Sequence, residues 1–501
     1  MPDTIGGLLS GAADRDPAGI WLRADDGCLT FGGAEARVAA VAQELRAAGV
    51  CHGDLVVVTA RTTAPYLLCW LGLAVLGAVT AAINPRSSAA ELAGLAEQIQ
   101  PRAVITDAAL LPLVGEVADV PALGVLDVHT LAGDWASGAG PTGTGLAGDW
   151  AAGAGGAAPG AGLAGVGGTV GPDDLAVLIP TSGTTGRSKL VMQTHRAYAM
   201  AGEGFPYWME LTASDRLMTS LPLFHINAPA YSVMGSLACG AGLVLLPRFS
   251  ASGFLDAARR HGATEFNAIG AMLEILMRQP ERPDDAASPL RLCYTGPAPP
   301  RERQEEMERR FGLRIVCGYA LSETPYGLIW PRGARGGTRP FGTLGAVRQH
   351  PRLGAVNEAR VVAEDGRDLG PGETGELLLR NPAVSPGYWQ MPQESAEVMT
   401  GGWLRTGDLV TADPGGTYTF VARKKEVIRR RGENLSPLEV EEVLLAHPAV
   451  QDCAVVGVPS ELSEEEVKAF VVPTGGARAD FAELLAWAAA RLAPYKVPRF
   501  W

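Results

Sequence analysis

Residues 176–191 read AVLIPTSGTTGRSKLV, an apolar run that passes into a loop of hydroxyls, two glycines and one lysine. After a strand, Gly183 and Gly186 free successive backbone N–H groups to curl round an anion. Thr181, Ser182, Thr184 and Thr185 add hydroxyl donors, and Lys189 supplies a cation, so the set suits a phosphate. It is not a Walker A loop, which ends in Gly-Lys-Ser/Thr; here Ser188 precedes the lysine. The same residues would also make a plain polar turn.

The loop has company. In order along the chain stand Tyr319-Ala-Leu-Ser-Glu323, Gly402-Trp-Leu-Arg-Thr-Gly-Asp408, Arg423-Lys-Lys-Glu-Val-Ile428 and Gly432-Glu-Asn-Leu-Ser-Pro437. Weaker segments are Gly53-Asp54, Ile83-Asn84-Pro85 and Gly372-Glu-Thr-Gly-Glu376. Together they closely resemble the motifs of the adenylate-forming (ANL) superfamily: acyl- and aryl-CoA ligases, adenylation domains and luciferases. The resemblance runs from about residue 28 to 501. Several motifs in the right order are far more specific than any one of them. The stretch 221–251 looks most like carnitine/crotonobetaine-type CoA ligases.

What the resemblance implies is attack of a carboxylate on the α-phosphate of ATP, then transfer of the acyl group to CoA. Thr181, Ser182, Gly183, Thr184, Thr185, Gly186 and Lys189 would hold phosphates. Glu323 would be the Mg²⁺ carboxylate, since a hard cation prefers oxygen, and Ser322 would bond the α-phosphate. Tyr319 would stack on adenine, with Gly296, Pro297 and Ala298 lining its other face; Asp408, assisted by Arg423, would accept from the ribose hydroxyls. Lys425 would be the hinge between a large and a small domain. His225 would line or gate the acyl pocket beside Asn227, where amino-acid-activating relatives carry Asp, so a free α-amino acid is not expected. Met234, Gly235, Ala268, Ile269, Gly270 and Gly318 complete the candidate pocket, with core packing the alternative for the apolar ones. Lys189, Ser322, Glu323 and His225 are thus the expected catalytic set.

Two departures bear on that expectation. Ser188 and Leu190 replace the usual Pro and Gly of the phosphate loop, which loosens it. The segment Ala493-Pro-Tyr-Lys-Val-Pro-Arg-Phe-Trp501 stops short of the family's last strand and catalytic-lysine element; Lys496 belongs to the preceding YKVPR segment and is not assigned that role. Two other readings stay open: a nitrite-activating diazotase or other adenylating enzyme without CoA, and a non-catalytic nucleotide- or acyl-binding protein.

The elements that must position these residues alternate. Helix periodicity at 34–48, 64–76 and 89–100 is interleaved with β runs at 55–59, 79–83 and 103–106. That is the pattern of βαβ units around a mostly parallel sheet. Further helix-strand pairs occupy 254–316; 341–421 is β-rich, and an α+β module of about 75 residues follows. The expected fold class is therefore α/β: a large ATP- and acid-binding domain over 1–422 with a β-rich subdomain, and a small mobile lid domain over 423–501. A fifteen-residue tandem repeat, LAGDWASGAGPTGTG then LAGDWAAGAGGAAPG, makes 131–168 a Gly/Ala-rich insertion, read as a flexible surface segment. The basic run 423–431 reads as a hinge or a solvated basic strand.

Composition bounds the rest. The 501 residues are 47% hydrophobic and 19% charged, which excludes a largely disordered chain. A net charge of −12 disfavours nucleic acid or an anionic membrane surface as partner. The uncharged stretch 64–83 reads as a buried helix and strand divided near Gly77, not a membrane span. Seven scattered cysteines without CxxC spacing suit reduced thiols in the cytoplasm. The expected partner is a small-molecule acid; a homodimer is compatible with the sequence.

Overall fold

The computed structural model describes residues 3–115, 124–136, 163, 169–181, 188–296, 298–331, 339–424, 426–430, 433–459, 465–476, 479–492 and 496–501. By internal contacts the chain forms two compact units. One comprises 1–358 and 379–404, the other 359–378 and 405–501.

The first unit is built on two sheets. One has six strands in the order Val125–Asp127, Ala103–Thr106, Leu55–Thr59, Val79–Ala82, Leu175–Thr181, Lys189–Thr194. All its pairings are parallel except the last, a hairpin in which Thr181 lies opposite Lys189. The other sheet holds a parallel block, Gly242–Leu245, Arg216–Thr219, Glu265–Ile269, Leu292–Gly296 and Arg314–Leu321, continued by the antiparallel Thr324–Ile329. Parallel sheets need both faces covered, which is why the helices between the strands are so apolar.

Local chemistry sets the boundaries. The helix Ala64–Leu76 starts where the Thr63 side chain accepts from the Tyr66 N–H, and stops at Gly77, φ 79°. Every residue of it is buried, and Val79–Ala82 pairs directly with Leu55–Thr59. The uncharged stretch is thus a core helix and strand. Among the described residues no helix is long and apolar enough to cross a membrane. The helix Ala89–Ile99 opens on a reciprocal cap between Ser88 and Glu91 and closes on Gln100 in the left-handed region.

The second unit carries the strands Glu358–Val362, Thr374–Arg380, Trp403–Ala412 and Thr417–Arg423, wholly or for most of their length, in that order. Beyond them lie a short hairpin (Ile428–Arg430 with Glu433–Leu435), the helices Pro437–Leu445 and Phe481–Ala489, and the long hairpin Val450–Pro459 with Glu465–Pro473. Ile428, Val440, Leu444, Val455, Val467 and Ala488 form its own small core.

Three local expectations change. The strand expected over 314–316 continues to Leu321 and returns as Thr324–Ile329, because an alternating pattern broken by small residues hides its length. The Gly/Ala-rich insertion is not a surface segment at its start. Leu131 and Ala132 finish a short helix, Trp135 is buried against the core, and the Asp134 carbonyl accepts from Arg37 Nη2 at 2.7 Å. Leu163 also packs on that core, whereas most of the repeat lies outside the described residues. Finally, the basic run is not uniformly solvated: Arg430 is buried, with its Nε 2.5 Å from Glu466. A buried charge is tolerated only with such a partner.

Candidate active site

The candidate residues of the first unit gather at the C-terminal ends of its parallel strands. In open α/β sheets that edge is where ligands bind, because loops leave the sheet there with free backbone groups. Ile269 ends one strand and sits in register with Gly296, which ends the next. A Cβ on Gly296 would lie 2.6 Å from the Gly318 carbonyl oxygen, so the two backbones touch only because residue 296 has no side chain. Gly318 is confined from behind: a Cβ there would meet Arg348 Nη2 at 2.6 Å and the Tyr294 ring at 2.8 Å. Tyr319 follows on the same strand, half-buried, and Ser322 and Glu323 form the tight turn into Thr324–Ile329.

That turn is held from two sides. Gln193 Nε2 donates to the Ser322 carbonyl at 2.5 Å, and the Ser385 N–H donates to the Glu323 carbonyl at 2.7 Å. Gln193 belongs to the strand that begins at Lys189, so the turn is tied to the far end of the phosphate loop. The segment 387–389 lies along the same strand: Met192 N–H donates to Gly387 O at 3.0 Å, and Trp389 N–H to Leu190 O at 2.8 Å. This brings Tyr388 between the two charged residues. Its hydroxyl donates to Glu323 Oε1 at 2.8 Å, while Lys189 Nζ lies 4.5 Å from its ring centroid. Burial raises the Tyr388 phenol above its ordinary range, and the Glu323 charge raises it further, so it remains a neutral donor. Thr181 Oγ1 donates to the Lys189 carbonyl at 3.3 Å and closes the base of the loop. Ser182, Gly183, Thr184, Thr185 and Gly186, with Pro297 and Lys425, lie outside the described residues.

The acyl-pocket candidates divide. His225 and Asn227 lie in the loop after Arg216–Thr219, and the Asn267 Nδ2 donates to Asn227 Oδ1 at 2.8 Å. That bond ties the loop to the strand carrying Ala268 and Ile269. Ile269 is 49% exposed, an unusual state for a large apolar side chain at a strand end, and Gly270 opens the next helix. His225 is exposed but packs beside Phe224, ring centroids 4.5 Å apart, and partial desolvation lowers its pKa from the ordinary value. Met234 and Gly235 sit instead at a buried helix crossing, where a Cβ on Gly202 would meet Met234 Cβ at 2.5 Å. Ala268 is likewise buried.

Asp408 and Arg423 belong to the second unit, directly opposite one another on paired strands. Asp408 is fully buried, and Arg423 Nε, on a half-exposed side chain, reaches its Oδ1 at 2.8 Å. Nearby, Glu376 takes charge-assisted contacts from Arg405 and from Lys424 Nζ at 3.2 Å. Burial pushes its carboxyl up, but the Arg405 hydrogen bond and the Lys424 charge more than offset this and hold it below the ordinary range. Within the same unit a cavity of about 610 Å³ is lined in part by Glu376, Lys424, Ser436, Glu439 and Lys496. Lys496 Nζ grips both Glu439 oxygens at 2.6 Å.

Sequence reasoning left out Tyr388, Gln193, Asn267 and Arg348. Only Tyr388 carries a local signal, a glycine-aromatic pair after Ser385-Pro386. The others act through contacts distant in sequence. Arg348 is a buried cation bonded to Leu328 O at 2.9 Å and Tyr294 Oη at 2.6 Å, with its guanidinium over Trp208.

Two family models match the chain: AMP-binding enzyme over residues 10–389 and AMP-binding enzyme C-terminal domain over 439–501. The chain belongs to the AMP-binding enzyme family. The crotonobetaine/carnitine–CoA ligase of Salmonella heidelberg (strain SL476) is 30% identical over 459 residues, covering 90% of this chain and 85% of that protein. The ATP-bound MatB of Rhodopseudomonas palustris superposes with a TM-score of 0.84 at 26% identity, over 99% of this chain and 94% of its own. The o-succinylbenzoate CoA synthetase of Bacillus subtilis, solved with its acyl-adenylate intermediate, gives 0.83 at 26% identity over 98% and 93%.

Proposed function

We propose that the protein is an AMP-forming acid–CoA ligase. The observation that carries this is the joining of Lys189 and Glu323 through Tyr388 at the strand ends, beside the bare backbones of Gly296 and Gly318. A cation and a carboxylate of that kind fit a nucleotide triphosphate with its metal. Glu323 offers one carboxylate, and a single carboxylate plus substrate phosphate oxygens is how Mg²⁺ is usually held. Bound there, Mg²⁺ would neutralise phosphate charge.

The substrate carboxylate oxygen attacks the α-phosphorus, the bond to the β-phosphate oxygen breaks, and pyrophosphate leaves. Lys189 and the hydroxyls of the loop hold the departing phosphates, Ser322 the α-phosphate, Tyr319 the adenine, and Asp408 with Arg423 the ribose. In the second step the CoA sulfur attacks the acyl carbon and AMP leaves with the electron pair of the C–O bond. The acid lies against His225, Asn227, Ile269 and Gly270. The small domain, from residue 423, turns about Lys425 between the half-reactions. The enzyme works in the cytoplasm, and a homodimer is compatible with the sequence.

The test is pyrophosphate release from ATP over a panel of aliphatic, aryl and quaternary-ammonium acids and nitrite, with and without CoA. We expect release with an organic acid and sustained AMP formation only when CoA is present. Release with nitrite alone, or ATP binding with no release across the panel, overturns the ligase reading.

A further inference from the structure

Among the described residues, Tyr388 touches both Glu323, through its hydroxyl, and Lys189, through its ring. It is 6% exposed and fixed along its whole length. Its own N–H donates to Ser395 Oγ at 2.8 Å, its neighbours Gly387 and Trp389 pair with the strand that starts at Lys189, and Val191 bridges to it. Gly387 adopts φ 135°, and a Cβ there would lie 2.7 Å from Ser395 Oγ, so this approach needs glycine just before the tyrosine. Two consequences follow from where the ring is held. The hydroxyl donates to Glu323 Oε1 and so fixes how the carboxylate is turned. The ring face receives the Lys189 ammonium, and among the described contacts no ion pair joins Lys189 to Glu323. Both groups rest on this one side chain, so without the ring nothing among the described contacts would hold the Lys189 ammonium off the Glu323 carboxylate, and a direct pair is one that ATP and its metal would have to break.

We propose that Tyr388 is a positioning residue that keeps the phosphate-loop lysine and the metal carboxylate apart and aimed. This rests on the assignment of Lys189 to the ATP phosphates and of Glu323 to Mg²⁺. Its function is separable by chemistry: the hydroxyl serves Glu323, and the ring serves Lys189.

The test is equilibrium binding of ATP to the full chain by calorimetry, with and without saturating Mg²⁺, for wild type, Tyr388→Phe, Tyr388→Leu and Glu323→Gln, each checked for an intact melting transition. Tyr388→Phe should shrink the Mg²⁺-dependent gain in ATP affinity roughly tenfold while leaving Mg²⁺-free affinity within about twofold, the size of effect expected for one charge-assisted hydrogen bond. Tyr388→Leu should also weaken Mg²⁺-free ATP binding, because Lys189 loses its seat. If Glu323→Gln abolishes the gain but Tyr388→Phe keeps it, the positioning role is wrong and the metal reading survives. If Tyr388→Phe weakens ATP equally with and without Mg²⁺, the residue is merely structural. If Glu323→Gln keeps the full gain, the metal assignment falls and the proposal with it.

Discussion

Asp408 shows how much one side chain must do here. It is fully buried and paired with Arg423 across two strands. A pair with one member buried is screened less than one on the surface, so Arg423→Ala should weaken the site more than loss of a surface pair would. Asp408→Ala should weaken ATP and AMP together, by about tenfold or more, since both nucleotides share the ribose. Competitive displacement of a fluorescent nucleotide reads this directly, and unchanged affinity for both would remove Asp408 from the ribose role. Glu323→Gln makes a different prediction: it should raise the Mg²⁺ concentration needed for half-maximal turnover, because a neutral amide is a poor ligand for a hard cation. The two variants therefore separate nucleoside recognition from metal recognition.

Elements position these residues through close approaches that allow little freedom. The strands ending at Gly296 and at Leu321 touch at Gly296 and Gly318, where a methyl group would meet backbone. Gly296→Ala should therefore destabilise the fold by about 1–3 kcal/mol and lower nucleotide affinity in the same protein; denaturant midpoints and ATP titration check both. The helix His195–Met209 opens on a fully buried histidine whose ring nitrogens have no hydrogen-bond partner among the described residues. Burial lowers the His195 pKa to about 4, which the Asp174 charge only partly opposes. The sign is that of a histidine kept neutral by the fold. Between pH 6.5 and about 4 the unfolded chain binds a proton the folded chain refuses, so stability falls as the pH drops through that window, by roughly 3 kcal/mol. His195→Gln should remove that part of the pH dependence and leave a shallower decline between pH 7 and 5 in urea unfolding.

At the scale of the whole molecule, the start of the repeat, residues 131–136, meets the core. Its first tryptophan is 6% exposed and lies among the buried side chains of the first unit, so Trp135→Ala should lower stability by about 3–5 kcal/mol, as other large-to-small core changes do. A melting temperature unchanged by that substitution would restore the view that the whole segment is passive. The seven cysteines stand as separate thiols, three of them buried with pKa values raised by desolvation, which makes them poor nucleophiles and suits packing more than chemistry.

By itself the sequence determined the local periods and the chemistry of short segments. Strands such as Leu55–Thr59 and Ala103–Thr106 and helices such as Ala64–Leu76 and Arg301–Phe311 have the limits that their apolar spacing and flanking Gly, Pro and Thr dictate, because those signals act within a few residues. The same locality made the phosphate loop, Glu323 and Asp408 legible as motifs. Tertiary structure alone decided which of them meet. Register put Ile269 beside Gly296; packing sent Met234 into a helix crossing; the 387–389 segment carried Tyr388 to Glu323, 65 residues away in sequence. Those outcomes depend on backbone pairing and on the space left by glycines, which are properties of the assembled chain and carry no signature in the residue types of either partner.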